Sequence, residues 1–132
     1  MTKVFVLLLL LFITPYSYAT QLEGAWELVS GEYVDADGKL IDYQSIKLNS
    51  LKIISTTHFS FTSVKEGKFW ASGSGTYQLS NGQYKEVLKY NSFGESPGAE
   101  FVFSTKVEGN YWFNYRWNGD KRVEYEVWRR IE

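Results

Sequence analysis

Six turn signals divide the chain beyond residue 30 into short pieces, and this spacing leaves little room for anything but antiparallel β structure. Asp37-Gly38, Glu66-Gly67, Asn81-Gly82, Gly94 to Gly98, Gly109-Asn110 and Asn118-Gly119 separate segments rich in Val, Ile, Thr, Tyr, Phe and Trp. Gly and Asn accept positive φ at low cost, so such pairs suit tight links between neighbouring strands. Asn81-Gly82, between GTYQLS and QYKEVLKY, is the clearest hairpin. No segment after residue 47 keeps a helical period. The spacing predicts eight strands, over about 22–33, 48–56, 58–65, 68–80, 83–91, 99–108, 110–117 and 121–131. The link 35–45 (DADGKLIDYQS) is the one long early connection and has room for a short helix. The loop 92–98 (SFGESPG) holds Pro97.

Alternation along these strands decides between a sandwich and a barrel. In 58–65, Phe59 and Phe61 share a face opposite His58, Ser60, Thr62 and Val64. In 83–91, Tyr84, Glu86, Leu88 and Tyr90 share a face, which turns Glu86 inward with the apolar residues. In the last strand Glu124, Glu126, Trp128 and Arg130 alternate with Val123, Tyr125, Val127, Arg129 and Ile131. An unpaired carboxylate in a packed two-layer core is costly. A closed barrel with a hydrated or ligand-filled interior accommodates one. The expected fold is therefore all-β: an eight-stranded antiparallel up-and-down barrel. Gly73 and Gly75, inside the strand 68–80, mark a bulge or sharp bend in its wall.

Residues 1–19 stand apart from this domain. A positive start (MTK), an apolar run of ten residues (Val4 to Ile13), Pro15 and the small residues of Ser17-Tyr18-Ala19 have the layout of a secretory signal peptide cut after Ala19. A spanning helix needs about twenty apolar residues. The expectation is one secreted or periplasmic domain over 20–132, with no membrane partner once the leader is gone. Removing Lys3 from 14 basic residues leaves 13 against 15 acidic ones, a net charge of about −2. No basic run or Arg-rich arm points to nucleic acid. The chain has no cysteine, which excludes disulfides and lipid attachment through an N-terminal Cys.

Gly24-Ala25-Trp26, on the first strand of an eight-strand meander, resembles the lipocalin and wider calycin pattern. That resemblance implies that Trp26 closes one end of the barrel. It also implies that a basic residue of the last strand, Arg130 or Arg129, packs across the Trp26 ring, beside Gly24 and Trp128. The chain is similar to the short bacterial lipocalin-like domain family of secreted proteins. The similarity runs from Leu22 to Arg130 through THFSF (57–61), GSGTY (73–77), YKEVLKY (84–90) and EVWRR (126–130). Typical lipocalins are longer and often carry disulfides and a C-terminal helix, so the large lipids of full-size members are not implied here.

Five Trp, eight Tyr and seven Phe lie beyond residue 19, more than a small core needs. An aromatic cavity with a few polar groups is the usual form of a small-ligand site. The expected ligand contacts are Trp70, Tyr77, Glu86, Tyr90, Phe103, Trp112, Arg116 and Glu126, around a small apolar or amphipathic molecule. Arg116 and Tyr90 are available partners for the two inward carboxylates. A second reading has a filled interior and an outer stripe of Tyr111, Phe113, Tyr115 and Trp117 that binds glycan or protein. Whether the larger aromatic set lies with Trp112 or with Trp117 separates the two.

A third reading makes the barrel an enzyme through Glu86 or His58. Glu86 and Glu126 could form an acid–base pair, but pairing with Arg or accepting hydrogen bonds from Tyr and Trp is the commoner fate of inward carboxylates. His58 is the only histidine, and no Gly-x-Ser-x-Gly elbow accompanies it. The plainer role for His58 is a hairpin-corner residue. One histidine and no cysteine make a metal site unexpected, and no cofactor motif is present. Asp35, Asp37 and Asp42 resemble a calcium loop, but the position that requires glycine is Leu40. The Gly-rich GSGTY segment lies in a strand, so it is no phosphate loop.

Overall fold

Asn81 and Gly82 both take positive φ, 51° and 73°, and Ser80 pairs with Gln83 across them. This is the two-residue hairpin expected of Asn-Gly, whose twist matches that of the flanking strands. Glu66-Gly67 makes the same kind of turn between Lys65 and Lys68. Such turns carry the chain through a computed structural model that describes residues 21–132. Its strands are β1 (Gly24–Val34), β2 (Leu40–Asp42), β3 (Leu48–Ile54), β4 (His58–Lys65) and β5 (Lys68–Ser80). They continue with β6 (Gln83–Asn91), β7 (Glu100–Glu108), β8 (Tyr111–Asn118) and β9 (Lys121–Arg130). The leader proposed for residues 1–19 lies outside the described residues.

From β3 to β9 each strand pairs antiparallel with the next. β1 closes the ring: residues 24–27 pair with β3, and residues 26–33 pair with β9. The eight long strands thus form a closed antiparallel barrel, as the turn spacing predicts. β2 is an addition, a three-residue strand on the far end of β1, where Val34 pairs with Leu40. The link 35–45 therefore holds no helix. Asp35 is the physical reason: its carboxylate accepts hydrogen bonds from the backbone N–H groups of Asp37 (3.0 Å) and Lys39 (2.8 Å). That local turn sends the chain back along β1 before a helix can start.

Four bulges adjust which residues face inward. Their extra residues are Val29 in β1, Trp70 in β5, Lys89 in β6 and Val123 in β9. Each one exchanges the faces of the residues beyond it. Val29 lets both Leu28 and Tyr33 reach the interior. Lys89 has the opposite effect on Tyr90, which points outward with 66% of its surface exposed. Tyr90 is thus no interior residue. It borders a shallow outer groove with Ser60, Thr62, Ser72 and Ser74. The Lys89 bulge lies opposite Gly75, where a Cβ would stand 1.9 Å from the Val87 carbonyl oxygen. Only glycine fits there.

One end of the barrel is solid. Trp26 lies fully buried against Trp112, with ring centroids 5.3 Å apart, and donates its indole N–H to the Leu22 carbonyl at 2.8 Å. Tyr84 meets the same Trp112 edge-on at 5.0 Å, and Leu22, Ile54, Phe59, Tyr77 and Trp128 complete the plug. The β9 alternation runs unbroken from Glu124 to Arg130, so Arg130 is the residue that covers Trp26. Its guanidinium lies 4.1 Å from the indole centroid and donates to the carbonyls of Glu23 and Gln21. Arg129 turns out and pairs with Glu27.

The glycine of Gly-x-Trp has a physical cause in this closure. Gly24 has φ 132°, and a Cβ there would stand 2.2 Å from the Glu132 carbonyl and 2.9 Å from the Arg130 guanidinium. Gly24→Ala is expected to destabilise the barrel by about 1–3 kcal/mol through that strain. Urea denaturation followed by tryptophan emission measures it, and an unchanged midpoint would contradict the closure described.

Candidate functional site

Strand parity builds the interior above the plug. β3 turns Leu48, Ser50, Lys52 and Ile54 inward and leaves Asn49, Leu51 and Ile53 outside. β6 contributes Tyr84, Glu86 and Leu88, while β8 contributes Trp112, Asn114 and Arg116. β9 contributes Glu124, Glu126 and Trp128. These side chains do not fill the space. A cavity of 420 Å³ remains, with apolar walls of Leu28, Leu48, Phe61, Leu88, Phe101 and Phe103.

Among the described charged side chains Lys52 is the most buried. Its Nζ donates to Glu86 Oε1 at 2.8 Å and lies 4.0 Å from Glu126 Oε2. Tyr84 donates its hydroxyl to the same Glu86 oxygen at 2.9 Å, and the Trp128 indole donates to Glu126 at 2.8 Å. Four rings stand around the ammonium, with centroids at 4.8 Å (Trp128), 5.3 Å (Trp112), 5.6 Å (Tyr84) and 5.9 Å (Phe61). Burial works to lower the Lys52 pKa, but the carboxylates of Glu86 and Glu126 outweigh it and hold the value above the ordinary one. The lysine is charged. Burial, reinforced by the Glu86 carboxylate, pushes the Tyr84 phenol well up.

A second polar rung lies nearer solvent. Arg116 Nε donates to Glu124 Oε2 at 2.8 Å, and its guanidinium lies 5.3 Å from the Phe101 ring centroid. Tyr43 reaches Glu124 Oε1 at 3.4 Å. Side-chain exposure falls from 31% (Arg116) and 17% (Glu124) to 11% (Glu126), 7% (Glu86) and 3% (Lys52). That gradient identifies the mouth, beside Tyr33, Trp70 and Phe93. Burial pushes the Glu124 carboxyl up to about 8. That value is the net of burial, the largest cause, and the neighbouring Glu126 charge, which both raise it, and of Arg116, which opposes. Burial, with Glu124 alongside, also raises the Tyr43 phenol.

Of the expected ligand contacts, the structure brings Trp70, Glu86, Phe103, Arg116 and Glu126 together on the cavity. Two other expected contacts belong to the plug instead. Trp112 is fully buried beneath Lys52, and Tyr77 is buried with its hydroxyl donating to the Ser55 carbonyl at 2.7 Å. Tyr90 is outside, for the reason given above. Sequence reasoning missed Lys52, Glu124, Tyr33 and Tyr43. It also offered Arg116 and Tyr90 as partners for Glu86 and Glu126, whereas Lys52 takes that role and Arg116 pairs with Glu124. The signal for Lys52 was the parity of Leu48, Ser50, Lys52 and Ile54, hidden by the apolar Leu51 and Ile53 on the outer face.

A protonated lysine between Glu86 and Glu126 leaves this pair poorly suited to acid–base work. His58 stands exposed at the β3–β4 corner, its Nδ1 2.7 Å from the Thr57 hydroxyl and its backbone N–H on Ser55 Oγ. The stripe Tyr111, Phe113, Tyr115 and Trp117 does lie on the outer face of β8. Tyr115 is stacked on Tyr125 at 5.0 Å, and Tyr111 and Trp117 are exposed. The larger aromatic set lies inside, with Trp112.

The chain matches no family model and no curated protein. Among solved structures it is similar to a de novo designed fluorescence-activating β-barrel, at 16% identity and a TM-score of 0.46. That alignment covers 82% of this chain and 92% of the designed one. The closed barrel described here rests on its own strand pairings.

Two substitutions probe the charges. Lys52→Met leaves Glu86 and Glu126 buried without their cation and is expected to cost about 3–5 kcal/mol of unfolding free energy in urea. Adding Glu86→Leu to it should restore part of that loss. The second concerns pH. Glu124 has a folded value of about 8 against an ordinary 4.5, so its contribution to stability is whole below 4.5 and is lost as pH rises through 8. The thermal midpoint of the unaltered protein should therefore fall relative to Glu124→Gln between about pH 5 and about pH 8.5. Parallel curves would contradict a raised Glu124.

Proposed function

We propose that the barrel binds a small, largely apolar molecule in its interior. The observation that supports this is the unfilled 420 Å³ space bounded by Leu, Phe and Trp walls on one side and an ordered set of charges on the other. Its volume lies within the range of ordinary small-molecule sites, about 300–1,000 Å³. Burying roughly 300 Å² of ligand apolar surface at about 25 cal/mol per Å² supplies roughly 7–8 kcal/mol before association costs. Those costs make micromolar or weaker affinity the expectation. Trp70 and Phe93 flank the entry, and Phe61, Leu88 and Phe103 supply contact area deeper in.

We propose further that the protein is a secreted, lipocalin-like carrier. The contact of Arg130 on Trp26 behind Gly24 supports the lipocalin-like reading. The run Val4 to Ile13 followed by Ser17-Tyr18-Ala19 supports secretion. Exposure of Tyr111 and Trp117 on β8 favours a second reading, in which the outer face of that strand meets a glycan or protein.

Native mass spectrometry of residues 20–132, taken from a secreting host, tests the carrier reading. The expected result is a discrete added mass that is lost on denaturation, or uptake of a neutral solvatochromic naphthalene dye by the apo protein. Ala71 lies on the cavity wall. Ala71→Trp is expected to weaken dye binding by at least about tenfold, on the order of 1.4 kcal/mol, with the circular dichroism spectrum unchanged. Dye binding unaffected by Ala71→Trp would move the site to the outer surface.

A further inference from the structure

The charges that face the cavity do not balance. Glu86, Glu124 and Glu126 are three carboxylates, and Lys52 and Arg116 are two cations. The cations are also committed by geometry. Lys52 makes its short contact with Glu86 and stands 4.0 Å from Glu126, while Arg116 is spent on Glu124. The short-range partner of Glu126 is the neutral indole N–H of Trp128. One negative charge is left over among carboxylates whose side chains are only 7% (Glu86), 11% (Glu126) and 17% (Glu124) exposed, where an unmatched charge is costly. We infer that the molecule held in this cavity is a monocation, an amine or similar group on a compact apolar body, with its cationic end against Glu124 and Glu126.

This inference rests on the cavity being a ligand site, and names what the site prefers. The approach to the acids suits a cation. Tyr33 is stacked on Tyr43 at 5.6 Å and lies 6.2 Å from Trp70, so aromatic faces line the way in. An anion of the same shape would add to the sign of charge already in excess among Glu86, Glu124, Glu126, Lys52 and Arg116, which selects against it.

The empty site has another way to settle the surplus charge, which is to hold a proton. Glu124 is the group that does so, since burial and the Glu126 charge alongside, against Arg116, leave it at about 8. The titratable and charged groups that face it are Tyr33 of β1, Tyr43 of the turn after β2, Lys52 of β3, Glu86 of β6, Arg116 of β8 and Glu126 of its own strand. An incoming ammonium makes that proton unnecessary. Below about pH 8, binding one cation therefore releases about one proton to the buffer, and no covalent step is involved.

Three probes of one size separate the outcomes: naphthylmethylamine, naphthylmethanol and naphthoate, followed by quenching of tryptophan emission and by calorimetry. The amine is expected to bind at least about tenfold more tightly than the alcohol, with naphthoate weakest. Amine affinity should rise by up to about tenfold per pH unit between about pH 6 and pH 8, while alcohol affinity stays flat. Calorimetry at neutral pH in two buffers of different ionisation heat should return close to one proton released per amine. In Glu124→Gln that release should vanish, and the preference for amine over alcohol should shrink. The comparison among probes on the unaltered protein decides the matter even if that variant folds poorly. Alcohol or naphthoate binding as well as the amine would overturn the inference and leave the cavity reading standing. Failure of all three probes to bind would overturn both.

Discussion

Lys52 carries its charge almost out of reach of water, and the surrounding walls are arranged to meet it. Glu86 approaches within hydrogen-bond distance from β6, Glu126 stands behind it on β9, and the Trp112, Trp128, Tyr84 and Phe61 rings stand around the ammonium. Each partner is held in turn: Tyr84 donates to Glu86, and the Trp128 indole donates to Glu126. Buried ion pairs of this kind add little to stability compared with an apolar replacement, yet losing one partner is severe. The pair also separates the two halves of the interior. Below it lies close-packed aromatic plug, and above it space.

The two halves answer different physical demands. The plug is where β1 and β9 meet across Gly24, Trp26 and Arg130, and close approach there forbids a side chain at Gly24. The open half begins where inner positions change from Ile54, Tyr84, Trp112 and Trp128 to Lys52, Glu86, Asn114 and Glu126, along β3, β6, β8 and β9. Polar residues need room or partners, so the wall cannot collapse onto itself. Ser50 and Ser63, whose hydroxyls bond each other on the cavity lining, show the same thing on a small scale.

Most of the fold was legible because its determinants are local. Turn dipeptides define hairpins without reference to the rest of the chain, and the strand limits follow within a residue or two. Glu86 could be placed inside from its own strand for the same reason. The misplacements come from information that lies on a neighbouring strand. Tyr90 turns out because Lys89 is bulged against β5, and nothing within QYKEVLKY marks that residue as the extra one. Lys52 was overlooked because Leu51 and Ile53 make the outer face of β3 look like an inner one. The Asp35 turn that replaces a helix with β2 needed only local chemistry, and could have been anticipated.

Every strand contact in the barrel is a short-range hairpin except those made by β1. Trp26 pairs with Arg130 across almost the whole described chain. Loop-closure entropy opposes a contact of that separation until the intervening hairpins have shortened the effective loop. The seam is therefore the natural last event in folding, and until it forms both β1 and β9 present unpaired edges to other chains. An arginine that covers a tryptophan at this seam does more than finish a core. It favours the one joining step that hides two sticky edges together, and so favours the closed barrel over chains zipped edge to edge through that seam.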